Sequence, residues 1–239
     1  MRKLLALAAL AAAVVSLGLL TEGDVAFADG CTVSAGVTQT TTTVTGTGGA
    51  DTIDCSGAGH GHSIIGLGGD DVIIGSDFAD TIQGYAGTDS LDGGPGDDLL
   101  DGGVLGCCGA GNTGDDLLLG GPGDDILHAS DFGNNTLDGG PGADEVWGWQ
   151  GNDTLSGGNG DDELSGYIGN DTLSGGNGDD TIVDADGVNT LSGGNGDDTL
   201  SAGPGNDELN GGRGTDTCSG GSGTDTDLTG TCETTSGIP

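Results

Sequence analysis

Residues 151–180 read GNDTLSGGNGDDELSGYIGNDTLSGGNGDD: the stretch repeats itself eighteen residues on, and each copy holds two versions of a nine-residue phrase. The phrase is Gly-Gly-x-Gly-x-Asp-x-apolar-x. Self-similarity at so short a period constrains the fold before any single helix or strand does, because one unit can bury its apolar residue only against the next copy. The expected architecture is a solenoid with one coil per eighteen residues, each coil a turn, a short strand, a turn and a short strand.

Each part of the phrase has a physical reason. The glycines suit tight turns with positive φ, where a Cβ would clash. The Asp at position six offers hard oxygen, and a glycine turn directs backbone carbonyls to the same neighbourhood. Crowded hard oxygens suit calcium, which takes six to eight of them in flexible geometry. Positions seven to nine form a three-residue strand whose middle side chain points opposite to its neighbours. That middle residue is Leu155, Leu164, Leu173 and Ile182 in successive phrases, so an apolar row faces inward while Thr and Ser face water. These residues resemble the hemolysin-type calcium-binding (RTX) nonapeptide repeat, and the resemblance implies an all-β fold, a parallel β-roll. It also implies that the position-six Asp and glycine-turn carbonyls ligate calcium between one turn and the turn one coil later. The candidate ligands are Asp71, Asp80, Asp89, Asp98, Asp116, Asp125, Asp144, Asp153, Asp162, Asp171, Asp180, Asp198, Asp207 and Asp216. The competing reading is an acidic solenoid without ions. It must stack like carboxylates a strand spacing apart with no counter-ion, which is costly.

Composition supports the solenoid by excluding alternatives. With 56 Gly among 239 residues and 3% aromatics, no ordinary globular core can form, and without the periodicity disorder would be the default. A net charge of −36 is self-repelling, argues against nucleic acid and anionic membranes as partners, and favours bound cations. No Lys follows Lys3, which removes Lys nucleophiles and the P-loop. Six cysteines point to an oxidising compartment. At the N-terminus, Arg2 and Lys3 precede an apolar run, and Ala26-Phe27-Ala28 offers an A-x-A cleavage site, so residues 1–28 read as a secretory signal peptide. A retained membrane anchor is the rival reading of that run. The expected location is therefore secreted and extracellular, with no membrane contact once the signal is removed.

In chain order, residues 29–45 read as an N-terminal capping strand, with Val33, Val37 and Val44 punctuating a Thr-rich run. Residues 46–228 form the calcium-binding roll, and 229–239 the C-terminal cap and tail. Cys31 and Cys55 are placed to clip the N-terminal cap to the first coil, and Cys218 and Cys232 to staple the last, although sequence does not fix the pairing. The segment 102–110, GGVLGCCGA, lacks both the position-six Asp and an inward apolar residue. Strict phrases at 93 and 120 lie twenty-seven apart, and treating 102–110 as a loop excursion restores the alternation of faces. One extra residue near Ala129 shifts the step again. Asn135 and Asn189 stand where Asp is expected, and their carbonyl oxygens predict weaker binding at those rungs. Position-five acids such as Asp97, Asp161 and Asp179 are expected to enrich the local field rather than coordinate. Nine to ten coils at the usual strand spacing make a rod of roughly 45 Å.

Other features are weaker. His60-Gly61-His62 is half of a transition-metal site, but no third ligand is evident, and a turn histidine pair is the plainer reading. Cys107-Cys108 reads equally as a vicinal disulfide, a bridge to another chain or partners for other cysteines. Tyr85, Trp149 and Tyr167 occupy position two on one face with Trp147 close by; such a strip can stack on sugars, but turn packing is commoner. Thr154, Thr172, Thr181, Thr190 and Thr199 make outward ladders that favour strands and also permit an ice- or crystal-surface reading. No G-x-S-x-G, H-E-x-x-H or spaced Cys–His pair supports an enzyme. The resemblance brings a departure too: a cleavable N-terminal signal and disulfide caps are foreign to family members exported through a C-terminal signal. The chain is expected to be a non-enzymatic, secreted, calcium-folded scaffold or interaction module, with an extracellular protein or a glycan as a possible partner. Its rival is a recognition surface for glycan, ice or mineral.

Overall fold

The computed structural model describes residues 25–26, 30–103, 114–129, 132–227 and 231–236. The expected signal peptide 1–28 lies outside them except for Val25–Ala26, which runs antiparallel to Thr32–Val33. Most of the expected excursion at 102–110, with Cys107 and Cys108, lies outside them as well.

Among the described residues every regular element is a strand, and two twelve-stranded sheets form the walls of a parallel β-solenoid. Successive phrases go alternately to one wall and the other. In the regular half, Thr136–Pro141, Thr154–Asn159, Thr172–Asn177, Thr190–Asn195 and Glu208–Arg213 stack in parallel on the first wall. Glu145–Trp147, Glu163–Ser165, Thr181–Val183 and Thr199–Ser201 stack on the second. The step is eighteen residues through this half. It is twenty between Asp51 and Asp71, twenty-seven between Asp89 and Asp116, and nineteen between Asp116 and Asn135. Leu91 therefore pairs with Leu118 in the same face register as any other neighbours. The ladder runs on across the longest step because twenty-seven is one coil of eighteen plus nine residues that add no rung, so the returning chain meets the wall it left.

Strand period decides what goes inside. The middle residue of each three-residue strand is buried: Ile53, Ile73, Leu91, Leu118, Leu137, Leu155, Leu173, Leu191 and Leu209 on one wall. Val44, Ile64, Ile82, Leu100, Leu127, Val146, Leu164, Ile182, Leu200 and Cys218 line the other. Burying a Leu or Ile side chain contributes about 1.5–3 kcal/mol, whereas ordering each residue of the phrase costs about 1–2 kcal/mol, so the apolar row alone does not hold a glycine-rich roll together. Asp227 follows Leu209 in register, and the apolar row of the first wall stops there.

Both ends are closed covalently. Cys31 is bonded to Cys55 and Cys218 to Cys232. The N-terminal cap is not one strand over 29–45 but two short antiparallel pairings, one for each wall: Thr32–Val33 lies against Thr52–Asp54, and Thr38–Gln39 against Thr43–Thr45. Antiparallel strands need only short connections, so seventeen residues suffice to cover both sheet ends. At the other end Cys232–Ser236 adds a parallel strand to Asp216–Ser219. Among the described residues no helix is long and apolar enough to cross a membrane.

Candidate metal centre

The position-six residues form two ladders, one leading into each wall. The first runs Asp51, Asp71, Asp89, Asp116, Asn135, Asp153, Asp171, Asn189, Asp207, Asp225. In each step the side-chain Oδ1 accepts the backbone N–H of the residue one coil earlier, at 2.7–3.1 Å. The second begins at His62 and continues through Asp80, Asp98, Asp125, Asp144, Asp162, Asp180, Asp198 and Asp216 with the same bond. All fourteen sequence-predicted aspartates thus lie in these ladders, and all are buried. One carboxylate oxygen of each is consumed in holding adjacent coils together.

The other oxygen is different. Oδ2 of Asp71, Asp89, Asp98, Asp125, Asp144, Asp153, Asp162, Asp180, Asp198, Asp207 and Asp225 is buried with no protein hydrogen-bond partner. Buried polar atoms are normally paired, and a buried carboxylate oxygen left alone is costly. Apart from Asp207, whose phrase begins with Ala202, each of these oxygens folds over the position-one glycine of its own phrase: a Cβ at Gly157, Gly175 or Gly193 would strike Oδ2 of Asp162, Asp180 or Asp198. At position four the backbone has φ of +135° at Gly160 and +132° at Gly178, and a Cβ there would strike the carbonyl oxygen of Gly142 or Gly160 one coil earlier. In these phrases glycine at position one admits the carboxylate, and at position four it lets the coils approach. The result is a repeated set of hard oxygens with excess negative charge and no donor, which fits calcium.

Protonation behaviour agrees. Burial pushes Asp71, Asp89, Asp98, Asp144 and Asp180 up from 3.8 to about 6, and Asp125, Asp153 and Asp162 to about 7. The backbone N–H bonded to Oδ1 opposes the shift. Ladder neighbours add to it, as Asp98 and Asp144 do at Asp125. Without positive charge nearby, the ladders resist ionisation.

Position-five residues bond in the opposite sense. Oδ1 of Asp97, Asp161 and Asp179 accepts the backbone N–H of the position-five residue one coil later, at 2.8–3.2 Å, and these side chains stay on the outside. Three departures from the pattern stand out. Asp51 and Asp80 have Oδ2 bound by the N–H and hydroxyl of Thr47 and Ser76, position-two residues of the same phrases, at 2.6–3.0 Å. These two turns are satisfied from within. In the phrase 184–192 the aspartate moves: Asn189 takes position six, and Asp184 takes position one, where it faces Asp171. Burial and the Asp171 charge hold the Asp184 carboxyl well above the usual range. Asn135 keeps the ladder bond and adds a donor, its Nδ2 lying 3.0 Å from Asp153 Oδ1.

Sequence reasoning passed over Asp51, Asp184 and Asp225. Asp225 had a clear signal, since GGSGTD at 220–225 is a strict phrase within the expected roll of 46–228. Asp184 had none, because position one is otherwise small.

The aromatic residues come together only in part. Trp149 stacks on Tyr167 with centroids 5.0 Å apart, Trp147 stacks on His128 at 4.4 Å, and Trp147 meets both other rings edge-on. Tyr85 lies elsewhere, in register with Leu67. Leu67, Tyr85, Trp149 and Tyr167 all have φ between 69° and 81°, at a position glycine usually fills. The histidine pair gains an unforeseen neighbour: His62 is packed against the Cys31–Cys55 disulfide.

A family model for the RTX calcium-binding nonapeptide repeat matches residues 64–103, 110–132, 130–164, 165–200 and 192–227. No curated protein matches the chain.

Proposed function

Because the chain belongs to the RTX calcium-binding nonapeptide repeat family, we propose that calcium drives its folding after secretion and that the folded rod serves outside the cell as a scaffold or interaction module. The observation that carries this reading is the double row of buried Oδ2 atoms without partners. Asp71, Asp89, Asp98, Asp125, Asp144, Asp153, Asp162, Asp180, Asp198 and Asp207, joined by Asp225, hold the ions through that oxygen together with glycine-turn carbonyls, and Asp116, Asp171 and Asp216 add their charge in the same ladders. Asp80, whose two oxygens are already bonded, contributes its charge more than a ligand atom. Bound calcium supplies the positive charge between stacked carboxylates. The chain's own part is to place one oxygen per phrase beside each turn while the other holds the coils in register.

Folding and binding are then one equilibrium, and the folded state gains free energy with every site filled. Extracellular calcium modules bind at about 10⁻⁴ to 10⁻³ M, a range that leaves the chain open inside a cell and closed outside. The disulfides at both ends and the A-x-A site at 26–28 support secretion. The test is circular dichroism of the chain without residues 1–28 during calcium titration from chelator. The expected outcome is a cooperative rise of β signal through the sub-millimolar to millimolar range. A full β signal in chelator would defeat the reading.

A second reading, recognition of a glycan surface, draws support from the Trp147–Trp149–Tyr167 cluster, where left-handed φ at Trp149 and Tyr167 costs about 1–3 kcal/mol each. Glycan-array binding that disappears in Trp149→Ala, with calcium-dependent folding unchanged, would favour it over the scaffold role.

A further inference from the structure

The second ladder begins with a histidine, and what lies beside that histidine is sulfur. His62 occupies position six of its phrase, where every later member of its ladder is Asp, and it is 4% exposed. Its Nε2 lies 3.7 Å from Cys31 Sγ. The two sulfurs of Cys31 and Cys55 and a ring nitrogen of His62 all lie within 4.8 Å of one another, and both cysteines are fully buried. On its other side, His62 Nδ1 lies 4.0 Å from Asp80 Oδ1, the same oxygen that accepts the His62 backbone N–H. Asp80 is itself fixed, since its Oδ2 accepts from Ser76 N and Oγ at 2.6 and 2.9 Å. At this end of the roll the hard oxygen set thus gives way to nitrogen and sulfur, the donors that select zinc-like over calcium-like ions.

We propose that reduction of the Cys31–Cys55 disulfide converts the N-terminal cap into a Cys₂His site for one divalent ion of the zinc class. The ligands are Cys31 Sγ, Cys55 Sγ and His62 Nε2, with a fourth position for water. Asp80 is a positioning residue: its charge, 4.0 Å from Nδ1, favours the tautomer with the proton on Nδ1 and leaves Nε2 to face the sulfurs. The chemistry balances. A dithiol reductant gives two electrons and two protons to the disulfide, the S–S bond breaks, two thiols form, and the reductant leaves as its own cyclic disulfide. The divalent ion then displaces two thiol protons to solvent, and two thiolates neutralise its charge. Neutrality matters in a buried site, where an uncompensated charge is costly. The cap is covalently closed when oxidised and closed by the ion when reduced, so the first coil is held in either redox state.

The experiment uses the chain without residues 1–28 in calcium, with cobalt(II) as the spectroscopic probe, before and after reduction with a water-soluble phosphine under anaerobic conditions. The reduced protein is expected to take up one cobalt with sulfur-to-metal charge transfer of two-thiolate intensity and visible tetrahedral bands, reversed by zinc; the oxidised protein shows neither. Both signals disappear in Cys31→Ser and persist in the Cys107→Ser, Cys108→Ser double variant. Asp80→Asn keeps the two-thiolate intensity at saturation but weakens cobalt binding about tenfold. His62→Gln shifts the visible bands and weakens binding at least as much. Should Cys31→Ser fail to fold, the double variant and His62→Gln still locate the site. Absence of the bands in reduced wild-type protein, bands unchanged in His62→Gln or Cys31→Ser, or loss of the β signal on reduction with zinc present would overturn the proposal.

Discussion

Each position-six aspartate does two things with one carboxylate. Oδ1 joins its coil to the one before, and Oδ2 waits beside its own glycine turn. Asp162→Asn separates the two, because the amide oxygen can still accept the Asp144 N–H while the second position becomes a donor. The expected effect is a rise in the calcium midpoint of roughly fivefold, about 1 kcal/mol, with little loss of compactness once saturated. Calcium titration followed by circular dichroism measures it. The pH dependence has a definite sign. Asp125, Asp153 and Asp162 have folded values near 7, raised above the unfolded 3.8 by burial. The metal-free fold therefore binds more protons than the open chain. Its stability from these groups is complete below about pH 3.8 and is lost as pH rises through 6 to 7. In chelator, β signal should grow on acidification from pH 8 to 4, and calcium binding should release protons near neutrality. An apo protein equally open at both pH values would contradict this. The position-six aspartates were legible because the phrase repeats. The sense of their bonding, one coil backward and not forward, was not, since it depends on how far each turn leans along the roll. Nor was the meeting of Cys31, Cys55, His62 and Asp80, which takes four chain segments and a cap folded back antiparallel.

At the scale of one rung, a three-residue strand offers a single inward side chain, so nothing nearby can substitute for it. Leu164→Ala should cost about 2–5 kcal/mol, read as a lowered melting temperature at saturating calcium. Gly160→Ala acts on the same rung through the backbone. Its Cβ would be driven into the Gly142 carbonyl at φ +135°, so the turn must open, and both the melting temperature and the calcium affinity should fall. Leu164→Ala, which leaves the turn intact, should spare intrinsic affinity once stability is accounted for. The alternation of walls was legible from parity alone, including the twenty-seven-residue step. The cap over 29–45 was not: Val and Thr propensity reads as strand, but neither its antiparallel sense nor its division between two walls follows from propensity.

Over the whole molecule, the ladders are not uniform. Asp51 and Asp80, at the N-terminal end, have both oxygens bonded within the protein, Oδ2 by Thr47 and Ser76 and Oδ1 by Ser34 and His62, and the Cys31–Cys55 bond closes the same end. The first coils should therefore keep structure that the rest loses when calcium is withdrawn. Hydrogen exchange in chelator is expected to show slow amides around 52–54 and 81–83 against fast exchange from 136 onward, and uniform exchange along the chain would refute that gradient. The middle of the rod has another consequence. Thr154–Asn159, Thr172–Asn177 and Thr190–Asn195 carry the same six residues, each seated on the last in the same register. Cutting out any eighteen consecutive residues between them would bring together two surfaces that already match, with no new cap to evolve. The rod's reach is thus a quantity that copying errors in a repetitive gene can lengthen or shorten by whole units, while its ends and its ion chemistry stay as they are.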